Sequence, residues 1–317
     1  MVNKYQRAVD MLNSHLKNKI VQSNDGDYGE FVNGMINGTL ELTEYENDEV
    51  KKVNTYLFEE LESLTSVSFP VCESIGDSVF RGCASLSSAN FPACESIGND
   101  AFHECYSLTD ANFPACKSIG EYAFYDCTSL TSANFPACES IGENAFFECE
   151  ALASISFPVC KNIDEHAFRD CYSLVDVNFP ACESIGYEAF YDCTSLTGVN
   201  FPACVTIGSS AFAGLDLTGA EFPACTSIGN DAFASCSSLT VVDFPVCESI
   251  GKTAFWRCAS LNSLYFTGSS VPSIANNTFA SIHSTATFYV APSMVNAFKS
   301  ATYWSAFASR IVAYEGE

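Results

Sequence analysis

Leu64, Leu86, Leu108, Leu130, Leu152, Leu174, Leu196, Leu217, Leu239 and Leu261 follow one another at 22-residue steps, except for one 21-residue step from Leu196 to Leu217. Each opens the same pattern, first complete at 64–85 as LTSVSFPVCESIGDSVFRGCAS. A unit this short cannot bury its own apolar face. Copies must stack, so the chain folds as a solenoid. A degenerate unit opens at Leu42, where Tyr45, Val50, Val53, Phe58 and Leu61 stand 22 residues before Val67, Cys72, Ile75, Phe80 and Cys83. The organisation expected is an N-terminal helix and linker over 1–41, a solenoid of about eleven units over 42–285 and a C-terminal cap over 286–317.

Counting from the opening leucine, the apolar positions are 1, 4, 6, 9, 12, 17 and 20, which in the first full unit are Leu64, Val67, Phe69, Cys72, Ile75, Phe80 and Cys83. Positions 4 and 6 alternate with polar neighbours, which predicts a strand over positions 3 to 7 with position 5 outward. Proline at position 7 has no N–H to give a ladder and ends the strand. Ile-Gly at 12–13 predicts a tight turn, and positions 14–20 a short helical or 3₁₀ turn that sends Phe80 and Cys83 inward. At the start, Tyr5, Val9, Leu12, Leu16 and Ile20 form an apolar stripe at helical spacing, either a cap or an oligomerising helix. At the end, the sequence predicts a strand at Thr287–Val290 and a helix that begins after Pro292 and runs to about Ser309. Val295, Phe298, Tyr303 and Phe307 would pack inward from that helix, and a strand at Ile311–Tyr314 would close the array.

The 17 cysteines lie in two columns, at positions 9 and 20, with Leu215 filling one slot. A reduced cysteine serves as a small apolar side chain, and leucine in its place fits that role. Disulfides and metal are the alternatives. An odd count cannot pair completely, and no CxxC or neighbouring histidine marks a metal site. The charge is −24, from 38 acidic and 14 basic residues, which argues against nucleic acid and anionic membranes as partners. No apolar run is long enough to span a membrane, and the first 20 residues lack the apolar core of a secretory signal.

The repeat LxxVxFPxCxxIGxxAFxxCxS contains the leucine-rich-repeat skeleton. Segments such as TSLTSANFPACESIGENAFFEC, and the closing FYVAPSMVNAFKSATYWSAF, resemble the BspA-like leucine-rich repeats over about 42–314. The resemblance implies a right-handed solenoid of the α/β leucine-rich-repeat type with a parallel β ladder and a curved strand face. It also implies the company of bacterial surface adhesins, protozoan surface proteins and prophage-encoded proteins that bind host proteins, bacterial surfaces or glycans. It brings no catalytic residues and no cofactor.

Three outward columns are candidate sites. Position 5 on the strand face carries Asn90, Asn112, Asn134, Asn178 and Asn200, either a solvated ladder of side-chain amides or a groove for protein or glycan. Position 18 and its neighbours carry Tyr106, Tyr125, Phe147, Tyr172, Tyr191 and Trp256. Between inward Phe and Cys these rings are expected to be exposed as interface material, or else to pack on one another between coils. Position 19 carries Glu104, Asp126, Glu148, Asp170 and Asp192, acids that repel unless solvated, paired or bridged by calcium. The four histidines show no catalytic or metal spacing. The function expected is non-enzymatic recognition or adhesion toward a surface protein or glycan, as part of a cell-surface or virion assembly joined through 1–41. A structural spacer is the rival reading and a glycan-active enzyme the distant one. The location expected is the cell surface, the exterior or a virion, with the cytoplasm left open.

Overall fold

The computed structural model describes Thr39–Glu41 (backbone only), Lys52–Val53 and residues 55–316. The N-terminal stripe, the linker, Leu42, Tyr45 and Val50 lie outside the described residues.

Every coil contributes two short strands. The front strand covers positions 3–5, as in Ser66–Ser68, and the back strand positions 11–12, as in Ser74–Ile75. Like positions pair in parallel, so Ile97 faces Ile119 and Ile155 faces Val177. The front strand is shorter than predicted. The Phe at position 6 turns inward, although its N–H still reaches the next coil, as from Phe69 to the Asn90 carbonyl at 2.9 Å. The back strand was not expected, because two residues are too few to show an alternation.

The third side is not a 3₁₀ turn. Position 15 and position 19 take left-handed backbone, as in Asp100 and Glu104 at φ 54° and 59°. Alternating the backbone hand turns every second N–H toward the next coil. Thus Asp100, Phe102 and Glu104 donate to the carbonyls of Glu121, Ala123 and Tyr125 at 2.9, 2.7 and 2.9 Å. A left-handed residue costs roughly 1–2 kcal/mol, and the inter-coil hydrogen bonds offset it. All three sides of the coil are therefore laddered.

Inside, the position-17 phenylalanines stack at 5.2 Å from Phe80 to Phe102 and 5.1 Å from Phe102 to Phe124. They meet the position-6 column edge-on, as Phe102 meets Phe113 at 5.8 Å. All 17 cysteines are buried and free. Their thiols do more than fill space. Cys94 donates to the Ser96 carbonyl at 3.1 Å, and Cys105 reaches back to Phe80 O at 3.2 Å. A weak donor on a small apolar side chain gives a second bond to a buried carbonyl, which valine or alanine cannot do.

The ends depart from the repeat. At the first coil, Leu40 pairs with Val67, a separation of 27 residues, so the front strand does not take the register in which Tyr45 would face Val67. At the C-terminus, Thr287–Val290 forms the predicted strand. The predicted helix is divided into Pro292–Met294, Val295–Ser300 and Trp304–Arg310, because Ala301 is extended and Tyr303 sits at φ 64°. That break drives Trp304 inward, where it is fully buried and donates Nε1–H to Pro272 O at 2.7 Å. Phe298 is buried and Val295 and Phe307 pack on the core, whereas Tyr303, expected inside, is exposed.

Candidate recognition face

The back ladder is one unbroken sheet of 11 strands from Lys52–Val53 to Ser273–Ile274. The front ladder is broken into three, with no pairing between Ser88–Asn90 and Asp110–Asn112 or between Asp176–Asn178 and Gly198–Asn200. The second break opens the face. Val177, the inward residue of its strand, is only half-buried, while Ile155 and Val199 on either side are buried. A groove of about 620 Å³ runs over the paired strands Ser132–Asn134, Ser154–Ser156 and Asp176–Asn178 and reaches across this break to Asn200 and Pro202, with Pro180 among its other walls.

The outward amides are arranged along the stack. Asn90 donates to Ser68 Oγ, Asn134 to Asn112 Oδ1 and Asn178 to Ser156 Oγ, each at 3.0 Å. Asn200, across the break, has no side-chain hydrogen bond among the described residues. Further along, the same column becomes aromatic. Asp243 faces Tyr265, and Tyr265 and Tyr289 stack at 4.7 Å with Tyr314 edge-on to Tyr265 at 5.3 Å. Partial burial raises the Asp243 carboxyl above its ordinary range. This cluster escapes a repeat-based reading because Tyr289 and Tyr314 lie in the cap, where the period has lapsed.

The position-18 column does not present free ring faces. Tyr125 lies between His103 at 4.7 Å and Phe147 at 5.1 Å, and the Arg169 guanidinium covers Phe147 and Tyr191 at 5.4 and 4.9 Å. These residues are half-buried, as is Trp256 beneath Arg257, so their expected exposure is corrected. Tyr106 and Tyr172 are exposed as expected.

The acids of position 19 occupy left-handed backbone, where Gly82 and Gly214 stand in two other coils at φ 69° and 81°. Burial first, and then neighbouring carboxylates, raise Asp126, Glu148 and Asp192 above their usual range. A carboxyl whose folded pKa is raised binds more protons folded than unfolded. Its stabilising contribution is present below the ordinary carboxylate pKa, near 4, and is lost as pH rises through the folded value. Asp126→Asn is therefore expected to raise the pH 7 melting temperature by a few degrees, about 0.5–1 kcal/mol, and to change little at pH 4. A lower melting temperature at pH 7 would contradict the repulsion.

A family description, "BspA type Leucine rich repeat region", matches in six copies over residues 37–137, 95–215 and 205–309. The chain belongs to the BspA-type leucine-rich-repeat family. Similar solved structures include a leucine-rich-repeat protein of T. pallidum (33% identity, covering 47% of this chain and 72% of that one, TM-score 0.43). Another is a leucine-rich-repeat protein of Bacteroides ovatus (23% identity, 84% and 88%, TM-score 0.39). A leucine-rich cell surface protein of Faecalibacterium prausnitzii is similar at 20% identity over 79% and 93%, with TM-score 0.43. No curated protein matches this BspA-type chain. Among its described residues no helix is long and apolar enough to cross a membrane.

Proposed function

We propose that this BspA-type protein is a non-enzymatic recognition protein that takes a surface protein or glycan on its front face, centred on the groove at the second break of the ladder. The observation that carries this reading is the groove itself. It is a polar concavity of about 620 Å³ over three paired front strands that ends across the second break at Asn200, whose side chain keeps its hydrogen-bonding capacity unused among the described residues. Amides and hydroxyls fixed on a laddered scaffold bind polar ligands at little ordering cost. A surface location, supported by the family, belongs to the same proposal, as does attachment through 1–41 to a cell or virion assembly.

The test is binding of the purified protein to glycan arrays and to bacterial cells. Asn134→Ala/Asn178→Ala/Asn200→Ala is compared with wild type and with Asn90→Ala outside the groove. Three lost polar contacts at about 0.5–1.5 kcal/mol each predict at least a tenfold loss for the first variant alone. Equal loss from Tyr106→Ser/Tyr172→Ser would move the site to the aromatic side. Absence of any binding would favour the spacer.

A further inference from the structure

In the regular coils from Leu64 to Leu239, position 13 is glycine at Gly76, Gly98, Gly120, Gly142, Gly186, Gly208, Gly229 and Gly251, and Asp164 is the one exception. Close stacking is the reason for glycine. A Cβ on Gly208, for instance, would lie 2.4 Å from the Gly186 carbonyl oxygen. The exceptional coil continues with Glu165 and His166, and Glu143 stands one coil before Glu165.

One ligand atom from each of Glu143, Glu165 and His166 lies within 4.8 Å of the others. His166 Nδ1 is buried and has no hydrogen-bond partner. The other ring nitrogen, Nε2, lies 3.4 Å from Glu188 Oε2, and Arg169 grips the same carboxylate. A carboxylate facing Nε2 favours the tautomer with its proton there, which leaves the Nδ1 lone pair free to ligate. A buried lone pair with no donor is costly, and two carboxylates one coil apart repel. A single cation relieves both.

We propose that Glu143, Glu165 and His166 bind one divalent transition-metal ion of the Zn²⁺ class, with Nδ1 as the nitrogen ligand and Glu188 and Arg169 as outer partners. An imidazole beside two carboxylates suits Zn²⁺ or Co²⁺ better than Ca²⁺, which prefers an all-oxygen shell. The chain's charge of −24 concentrates cations at its surface. Three protein ligands leave a coordination position for water or a further ligand. The ion would join two successive coils and stiffen the array there.

The experiment uses the full chain, stripped with a chelator and kept reduced. Zn²⁺, Co²⁺ and Ca²⁺ are titrated by calorimetry and thermal shift, and Co²⁺ also by absorption. The expected result is one Zn²⁺ per chain and a raised melting temperature. His166→Gln and Glu143→Gln should each weaken binding at least tenfold, and Glu188→Gln should weaken it 10- to 100-fold, as outer-partner loss does elsewhere. Each variant's metal-free melting temperature shows that it folds. The Co²⁺ spectrum should lack sulfur-to-metal charge transfer. Three results overturn the proposal: no Zn²⁺-dependent shift in the wild type, an equal shift in His166→Gln, or a thiolate charge-transfer band placing the metal on cysteine.

Discussion

Phe146→Ala is expected to cost about 3–5 kcal/mol and to split one unfolding transition into two. Phe146 is fully buried and stacks on Phe124 at 5.1 Å and on Phe168 at 5.2 Å. It also meets Phe135 and Phe157 edge-on, each at 6.0 Å. Removing the ring leaves a void that the coil cannot close, because inter-coil hydrogen bonds on all three sides hold the backbone spacing. In an array where each coil touches only its neighbours, a lesion at the middle uncouples the two halves. Phe58→Ala, in the first coil, should cost less and leave a single transition. Urea denaturation followed by circular dichroism checks both, and a mid-array variant within about 1 kcal/mol of wild type would contradict the ring ladder as the main source of cohesion.

The cysteine columns predict an alkaline limit and near-complete thiol protection. Burial pushes the Cys94, Cys182 and Cys225 thiols up to about 12, and Cys105, Cys149 and Cys193 well above the ordinary thiol range. At pH 8 a thiol at 12 carries roughly a thousandth of the thiolate of an unfolded one near 8.5–9, and lack of access slows reaction further. Native protein should give almost no Ellman's reagent signal, and all 17 thiols should react in guanidinium. Folded-state values raised above the unfolded ones mean stability that is fully present below about pH 8.5 and lost as pH climbs toward 12. The loss is about 1.4 kcal/mol per thiol per pH unit. With this many thiols in step, unfolding by about pH 10 should be abrupt. Rapid labelling of several thiols at pH 8, or a flat stability from pH 8 to 11, would show that the columns open in the native state.

Much of this was legible before folding was considered. Phe69, Phe80, Cys72 and Cys83 recur at fixed positions, and a recurrent apolar position in a solenoid has nowhere to go but inward. Other features left no mark. The back strand Ser74–Ile75 is defined by pairing with other coils and not by its own two residues. The left-handed residues of positions 15 and 19 carry Ser, Asp, Glu, Tyr and His as freely as Gly, so composition does not betray them. Asp164 in a column of glycine was visible in the alignment of repeats. Its meaning rests on Glu143 and Glu165, which come together only when successive coils stack.

The amino-acid sequence alone determined the period, the stacked coils and the Phe and Cys columns of the interior. Burial of a repeated side chain is a local demand that every coil states for itself. Tertiary structure decided which outward columns are covered, where the first front strand pairs, and where the front ladder opens between Asn178 and Gly198. Those outcomes depend on how one coil settles on the next, through hydrogen bonds and ring contacts between residues of successive repeats. No single repeat contains both partners.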